Sequence, residues 1–364
     1  MRLEKLSILN YKNIREAELE LCSNINCFVG KNGMGKTNLL DAIYYLSFCK
    51  SHFNVIDSQN ICHDADFMLI QGQYSRNEET ENIYCGIKRK QKKQFKRNKK
   101  DYEKLSDHIG LLPLVLVSPN DSELIAEGSE ERRRFMDGVI SQHNKTYLQC
   151  LMAYNNALKQ RNALLKMETP VEETLYAVLE EQMARNAEYI YAERKKFIAT
   201  FEPIFQDNYA YISGGQEQVT LNYTSQLDNR DLTEAFVRTR ERDKILGYTT
   251  QGIHKDDLEM QLGDYPIKRV GSQGQNKTYL IALKFAQFEF LRQIHGLKPL
   301  LLLDDIFDKL DSWRVKRIIE LVAGDKFGQI FITDTNREHL NEIIAQITAT
   351  SALFQVEDGV VTQL

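Results

Sequence analysis

One short segment near the N-terminus constrains the fold more than any other part of the chain. Residues 30–37 read G-K-N-G-M-G-K-T and match the pattern G-x-x-x-x-G-K-[ST], in which backbone N–H groups surround phosphates, the lysine reaches the β- and γ-phosphates and the hydroxyl binds Mg²⁺. Apolar residues up to Val29 predict a buried strand before the motif, and residues 38–48 predict an amphipathic helix after it. We therefore predict a nucleotide-binding loop formed by Gly30, Lys31, Asn32, Gly33, Met34, Gly35, Lys36, Thr37 and Asn38.

Length and charge limit the remaining possibilities. At 364 residues the chain exceeds the usual size of one hydrophobic core, so two domains are expected. The net charge of −4 gives no global attraction for nucleic acid, so any such binding must come from a local basic surface. The six cysteines lack zinc-site spacing, the apolar runs are too short to cross a bilayer, and the first residues do not form a signal peptide. These features predict a cytoplasmic protein without a structural metal or a membrane partner.

A basic segment at residues 88–100 is the local surface that best suits phosphate contacts. Nine of its thirteen residues are lysine or arginine. The alternative is a solvated hairpin whose charges prevent pairing at a sheet edge. Phe95 is the one aromatic residue in the segment that could stack on a base, so the sequence does not decide between the two. The candidate DNA contacts are Lys88, Arg89, Lys90, Lys92, Lys93, Lys96 and Arg97.

From residue 129 onward the pattern becomes helical. Apolar positions over residues 147–165, and again from Leu175 to Phe201, recur at steps of three and four, with an interruption at Arg194. They predict two long helices, the second of which ends at Pro203. Facing stripes and a short connection predict an antiparallel helical arm. We assign residues 123–205 to this arm, inserted into a discontinuous α/β head with a mixed sheet at residues 1–122 and 206–364.

Two acidic residues close a strongly apolar run near the C-terminus. Four leucines at residues 300–303 predict a strand buried on both faces of a mainly parallel sheet, with Asp304 at its carboxyl end, where ligands bind in such sheets. We expect Asp304 to hold Mg²⁺ opposite the Thr37 hydroxyl, and Asp305 to orient the attacking water. Together with Lys36 they are the candidate catalytic residues, although consecutive acids can also simply cap the next helix.

A second small polar loop precedes an apolar helix. Residues 270–278 read V-G-S-Q-G-Q-N-K-T, which again suits an anion at a helix N-terminus. One nucleotide does not need two such loops from one subunit. We therefore predict that Ser272, Gly274 and Gln275 close on the γ-phosphate bound by a second copy, giving an ATP-dependent homodimer.

Taken in order, these segments resemble the defining elements of ABC-type ATPases. Residues 30–37, 271–277, 300–305 and 308–311 resemble the Walker A, signature, Walker B and D-loop elements, particularly of the SMC-like group that acts on DNA. The resemblance implies that Asp308 and Asp311 are D-loop residues. Within that group the chain is similar to the RecF family of bacterial recombination mediators, at residues 9–14, 118–121, 132–137, 160–165, 254–258 and 272–275.

The resemblance implies a switch that acts on DNA. Such a protein dimerises on ATP and Mg²⁺, binds double-stranded DNA and gapped or single-strand junctions, and releases them on weak, DNA-stimulated hydrolysis. It would act with RecR and RecO to load RecA during repair, replication restart and SOS induction. Gln273 and Asp305 depart from transporter-type ATPases and predict slow turnover. Thr333-Asp334-Thr335 stands where a histidine switch is expected, and the Q-loop glutamine could be Gln71 or Gln73.

Two other classes share the phosphate loop. A metabolite kinase has no need for a second glycine loop before an apolar helix. An ATPase subunit of another SMC-like or transport system would share the head motifs, but a transport subunit would need a membrane coupling partner, of which the predicted arm gives no sign.

Overall fold

The computed structural model describes residues 1–228, 231–307, 310–346 and 350–364. They form two compact units: the head, Met1–Asp121, Tyr211–Ser213 and Gln273–Leu364, and the arm unit, Ser122–Ala210 and Gly214–Ser272. The strands are β1 Arg2–Tyr11, β2 Ile14–Glu20, β3 Ile25–Val29, β4 Phe67–Arg76, β5 Glu79–Lys88, β6 Gln94–Arg97, β7 Lys100–Asp101, β8 Leu114–Val117, β9 Val219–Thr224, β10 Asp257–Leu262, β11 Tyr265–Pro266, β12 Leu300–Asp304, β13 Ile330–Asp334, β14 Ser351–Glu357 and β15 Val360–Gln363. The helices are α1 Lys36–Phe48, α2 Glu123–Ala126, α3 Ser129–Ser141, α4 Lys145–Leu165, α5 Glu173–Ser213, α6 Leu232–Leu246, α7 Ile267–Val270, α8 Gln273–His295, α9 Ser312–Ala323 and α10 Arg337–Gln346.

The head contains an antiparallel sheet of order β2-β1-β4-β5-β6-β7. Its strands show the alternation expected of a sheet with one wet face: in β2, Ala17 and Leu19 are buried while Glu16, Glu18 and Glu20 are exposed. The acids also keep this edge strand from pairing with other chains. The alternation of apolar and acidic residues in the sequence of β2 thus matches the buried and wet faces of the strand.

A second head sheet, of order β15-β14-β3-β13-β12-β8, carries the parallel strands. β3, β12, β13 and β8 are buried along their whole length, as the run of four leucines predicted for β12. Their parallel pairing places the residues after β3, β12, β13 and β8 at one carboxyl edge. Helix α1 packs between this sheet and the antiparallel one.

The arm unit is built on long helices, and its boundary differs from the one predicted from sequence. Residues 214–272 belong to this unit, because β9, β10 and β11 form a three-stranded sheet of their own and β10 packs against α3. The local sequence pattern of β9 gives no information on which sheet the strand joins.

Helix α5 does not end at Pro203, so the sequence prediction was wrong at that point. Proline removes one helical hydrogen bond and costs about 3 kcal/mol in a helix interior. Phe201, Phe205 and Tyr209 are fully buried on one face of α5 around it, and each buried large apolar side chain contributes about 1.5–3 kcal/mol. Packing on both sides of the proline therefore outweighs the lost bond.

Buried ion pairs replace part of the apolar stripe predicted for the arm. Arg194 does not interrupt the packing: it is 1% exposed and pairs with Asp137 at 2.9 Å and with Asp256 at 2.8 Å. Leu175 is 50% exposed, so its assignment to the stripe was wrong, and Tyr176 is buried instead. In the described ranges, no helix has both the length and the apolar character needed to cross a membrane.

Candidate nucleotide-binding site

The predicted phosphate loop connects β3 to α1, and its glycines are required by space and by backbone conformation. A Cβ at Gly30 would lie 2.2 Å from the carbonyl oxygen of Val356. Gly35 has φ of 115°, and a Cβ there would lie 2.8 Å from Oδ1 of Asn13. Bulkier residues would therefore displace the loop from β14 on one side and from the β1–β2 turn on the other.

Lys36 places its ammonium group within the loop. The side chain is 4% exposed, and Nζ donates hydrogen bonds to the carbonyl oxygens of Gly30 at 2.8 Å and Lys31 at 3.2 Å. Helix α1 begins at Lys36, so the first N–H groups of the helix lack intrahelical partners. A buried ammonium beside a helix N-terminus makes a site for a phosphate chain.

Asp304 lies beside Thr37, although the two residues are 267 positions apart in sequence. Thr37 Oγ1 is 3.0 Å from both carboxylate oxygens of Asp304. A hydroxyl and a carboxylate are oxygen ligands of the kind that Mg²⁺ takes. The structure thus brings together the residues predicted for the loop and for the metal.

Thr333 is a site residue to which the sequence analysis, although it placed residues 333–335 at the expected switch position, assigned no role. Its Oγ1 donates to Asp304 Oδ1 at 2.7 Å and accepts from the backbone N–H of Asp305 at 3.1 Å. Asp305 has φ of 45°, a left-handed conformation that is uncommon for a non-glycine residue. One hydroxyl therefore orients the Asp304 carboxylate and fixes the backbone of Asp305. This role follows from the pairing of β12 with β13, in which Thr333 is the register partner of Asp304, and it cannot be read from the local sequence.

Burial raises the pKa of the Asp304 carboxyl above its ordinary value. The neighbouring Asp305 charge raises it further, while the hydrogen bonds from Thr333 and Thr37 and the charge of Lys36 act in the opposite direction. The ionised carboxylate is therefore destabilised by its surroundings, and a bound cation would relieve that destabilisation.

On the side of β12 opposite β13, Ser118 lies at the carboxyl edge, directly after β8. This residue follows Val117, whose register partner is Leu303, the residue before Asp304. Ser118 is 6% exposed, and its Oγ has no hydrogen-bond partner within the described ranges. Gln71 and Gln73, the two candidates for a Q-loop glutamine, instead lie within β4 of the antiparallel sheet.

The signature and D-loop segments meet in the head through an arginine. Helix α8 begins at Gln273, so Gly274 and Gln275 lie in its first turn and Ser272 precedes it. A Cβ at Gly274 would lie 3.3 Å from Nη1 of Arg314, and that nitrogen is 2.6 Å from Asp311 Oδ2. Asp311 also caps α9 by accepting from the Arg314 N–H. Asp308 lies outside the described residues.

The basic segment forms a hairpin in which several of the candidate DNA contacts are already engaged. Lys88, Lys90 and Lys92 are exposed, and their side chains make no hydrogen bond or ion pair with any described residue. Phe95 is 2% exposed and packs on His108, so it is unsuited to base stacking. The internally bonded candidates are Arg89, which donates to three carbonyls, Lys93, paired with Asp57, Lys96, beside Asp101, and Arg97, paired with Glu81.

The two head sheets with α1 between them, together with the phosphate loop and the acidic carboxyl edge, define an ABC-type ATPase fold of the SMC kind. Residues 2–362 match the family model of the RecF/RecN/SMC N-terminal domain. A "DNA replication and repair protein RecF" of Bacteroides fragilis strain YCH46 is 60% identical over 365 residues, covering 100% of this chain and 99% of that protein. The chain belongs to the RecF family.

Two further comparisons agree with this assignment. The RecF of Flavobacterium johnsoniae is 48% identical, covering 98% of this chain and 100% of that protein. A solved structure of the recombination mediator protein RecF with ATP, in the RecFOR pathway, matches with a TM-score of 0.89 and 28% identity over 100% of this chain and 97% of that one. An Smc head from Pyrococcus furiosus shares the fold, with a TM-score of 0.59 and 18% identity over 100% and 95% of the two chains.

The Thr333 hydroxyl can be tested by replacing it with an isosteric methyl group. We expect Thr333→Val to lower the rate of ATP hydrolysis by about 10- to 100-fold, the usual cost of removing a group that orients a metal-binding side chain. Thr333→Ser, which keeps the hydroxyl, is the matched control and should retain most of the rate. ATP binding in EDTA should be the same for both variants, and an equal loss of hydrolysis in both would contradict the positioning role.

Asp304→Asn tests the electrostatic state of the carboxyl in the protein without nucleotide. Because the raised pKa of Asp304 destabilises the folded protein once the group ionises, we expect the variant to unfold at a higher temperature than the parent near neutral pH. The difference in unfolding temperature between variant and parent should narrow as pH falls through the raised pKa toward the ordinary aspartate value of about 3.9, since Asp304 is then protonated in both the folded and the unfolded parent. Thermal unfolding of variant and parent at a series of pH values measures this difference. A stability advantage of the variant that is smaller at pH 8 than at pH 5 would contradict a raised pKa of Asp304.

Proposed function

We propose that this chain is an ATP-dependent DNA clamp in which the nucleotide joins two heads around DNA and slow hydrolysis releases it. The observation that carries the proposal is the 3.0 Å approach of Thr37 to Asp304 at the mouth of the phosphate loop. A hydroxyl from the loop and a carboxylate from the end of another strand of the same sheet form the metal-binding pair of phosphate-loop ATPases.

The nucleotide would occupy the loop from Gly30 to Asn38. Lys36 would leave the carbonyls of Gly30 and Lys31 for the β- and γ-phosphates, since phosphate oxygens are stronger partners for an ammonium than neutral carbonyls. Thr37 and Asp304 would hold Mg²⁺, which neutralises charge between the phosphates. Asp305 would orient the attacking water, and its side chain, one methylene shorter than glutamate, is consistent with the weak, DNA-stimulated hydrolysis that we propose.

Dimerisation would depend on the N-terminus of α8. Ser272 is exposed and immediately precedes α8, and the N-terminus of that helix carries the positive end of the helix dipole, which attracts an anion. We propose that Ser272, Gly274 and Gln275 bind the γ-phosphate held by a second copy. Arg314, which is paired with Asp311, lies beside Gly274, so we propose that loss of the γ-phosphate would change contacts in both the signature and D-loop segments.

DNA would be held in the dimer by local positive charge. Lys88, Lys90 and Lys92 are exposed, and each could neutralise a phosphate without breaking an internal bond. Arg89, Lys93, Lys96 and Arg97 would have to give up the partners that stabilise the hairpin, and we propose them as secondary contacts. The expected ligands are double-stranded DNA and gapped or single-strand junctions.

The relatives supply the cellular setting of the proposal. The solved RecF structure is described as part of the RecFOR pathway, and the curated relatives as DNA replication and repair proteins. We propose that this chain acts in the cytoplasm with RecR and RecO to load RecA at gaps, supporting DNA repair, replication restart and SOS induction.

The dimer model is tested by placing a large cation in the signature turn. Ser272→Arg should bind ATP as a monomer with an affinity near that of the parent but should not dimerise, because the side chain fills the space meant for a second copy's phosphate. Ser272→Ala, which adds no bulk, is the control and should dimerise more weakly. Light scattering with ATP, ADP and no nucleotide gives the mass, and an ATP-induced dimer of Ser272→Arg would refute the model.

The DNA surface is tested through the salt dependence of binding. Each phosphate contact contributes about 0.9 to the slope of log affinity against log salt for duplex DNA. Replacing Lys88, Lys90 and Lys92 by alanine should therefore reduce the slope by up to about 2.7. A charge-matched control replaces Lys145, Lys159 and Lys196, which are exposed in the arm unit. An equal reduction in both triple variants, or none in the first, would remove the hairpin from the interface.

A further inference from the structure

The end of the chain lies against the phosphate loop. β14 and β15 are joined by the two-residue turn of Asp358 and Gly359, and Glu357 pairs with Val360 across it. Both turn residues have positive φ, 47° and 79°, which is the conformation that two-residue hairpins favour and that Asp-Gly adopts readily. The turn is therefore a two-residue hairpin turn that its own sequence favours.

Two N–H groups of this turn donate hydrogen bonds to one residue of the phosphate loop, Met34. Gly359 N–H donates to the carbonyl oxygen of Met34 at 3.0 Å, and Asp358 N–H donates to Met34 Sδ at 3.3 Å. β14 also pairs in parallel with β3, so the strand that leads into the phosphate loop and the strand that leads into the turn are neighbours. The hairpin thus holds the loop both at its entry and at its centre.

A second turn holds the same loop from the N-terminal end of the chain. Asn13, between β1 and β2, donates from Nδ2 to the carbonyl oxygen of Gly33 at 3.3 Å and accepts from Asn38 Nδ2 at 2.7 Å. The two turns touch each other closely: a Cβ at Gly359 would lie 2.1 Å from the carbonyl oxygen of Asn13. Only glycine fits at that position, for reasons of space as well as of φ.

These contacts fix the direction of a peptide group in the loop. In a trans peptide the C=O and the following N–H point in opposite directions. Because the Met34 carbonyl is bound by Gly359, the N–H of Gly35 must point away from the hairpin. A loop whose N–H groups are already oriented does not lose that conformational freedom when a ligand binds.

We infer that the Asp358–Gly359 turn is a positioning element for nucleotide binding, which orients the Met34–Gly35 peptide before the phosphates arrive. The inference rests on the nucleotide site proposed above and adds a determinant outside the phosphate-loop motif. The hairpin touches no reacting atom. Its effect is on affinity, and it applies equally to every nucleotide that places phosphates in the loop.

Gly359→Ala tests the inference in the full-length protein. The new Cβ is strained by φ and collides with Asn13, so the turn must shift off Met34. We expect the affinities for ATP and ADP, measured by equilibrium titration, to fall by a common factor of about 5- to 100-fold. Thr362→Ala is the matched control: it changes an exposed residue of β15 and should bind nucleotide like the parent.

A readout without nucleotide separates this inference from the proposed function. Amide hydrogen exchange at residues 33–35 should be faster in Gly359→Ala, with protection in β3 and α1 unchanged. Met34→Ala, which leaves the hairpin sequence intact but removes the sulfur acceptor, should give a smaller change in the same direction and serves if Gly359→Ala does not fold. Unchanged exchange and unchanged affinities would overturn the positioning role. If exchange is faster in Gly359→Ala but the parent protein itself binds no nucleotide, only the proposed function is overturned.

Discussion

The parallel alignment of β3, β13, β12 and β8 is the constraint on which the candidate site depends. Four strands from distant parts of the sequence end at one edge, which brings together the last residues of two strands, Asp304 and Asp334, with the phosphate loop and Ser118, which follow the other two. None of these groups would be near another without the sheet. The buried apolar strands stabilise that arrangement, so the site is held by side chains that take no part in its chemistry.

Holding the strands requires that buried polar groups be satisfied, and one amide does this between the two head sheets. Gln329 is 1% exposed and precedes β13; its side chain donates to the carbonyls of Leu3 and Cys22 and accepts from the Leu3 N–H. The Cys22 carbonyl also accepts from Asn26 Nδ2 at 2.9 Å. A buried backbone group left without a partner in an apolar environment costs about 1–3 kcal/mol. The same glutamine fixes the start of β13 and therefore the height at which Thr333 reaches Asp304.

The sequence predicted the parts of this site that are encoded locally. The phosphate loop, the leucine strand and Asp304 are each recognised within about ten residues, because spacing and apolar runs are local properties. The role of Thr333 could not be predicted, although residues 333–335 were placed at the expected switch position, since that role depends on being opposite Asp304 in a sheet whose pairing no local pattern specifies. Pro203 was misread for the same reason, and the environments of Phe95 and Arg194 could not be predicted either. Whether a phenylalanine stacks on bases or on His108, and whether an arginine interrupts a helix face or finds Asp256, is decided by residues far away in the chain.

The distribution of hydrogen bonds around the loop suggests how such a site can act as a switch. The carbonyl sides of Gly33 and Met34 are bound by turns from both chain termini, so one flank of the loop is fixed. Elsewhere in the site, Lys36 donates to the loop carbonyls of Gly30 and Lys31, and Asp304 carries a charge that its burial disfavours. These are the groups whose environment improves when phosphates and a cation enter. The free energy of nucleotide binding would therefore come mainly from the side of the loop that faces Thr37, Thr333 and the carboxyl edge. A γ-phosphate bound there could change the position of β12 and Asp305, and through them the segment that leads into α9.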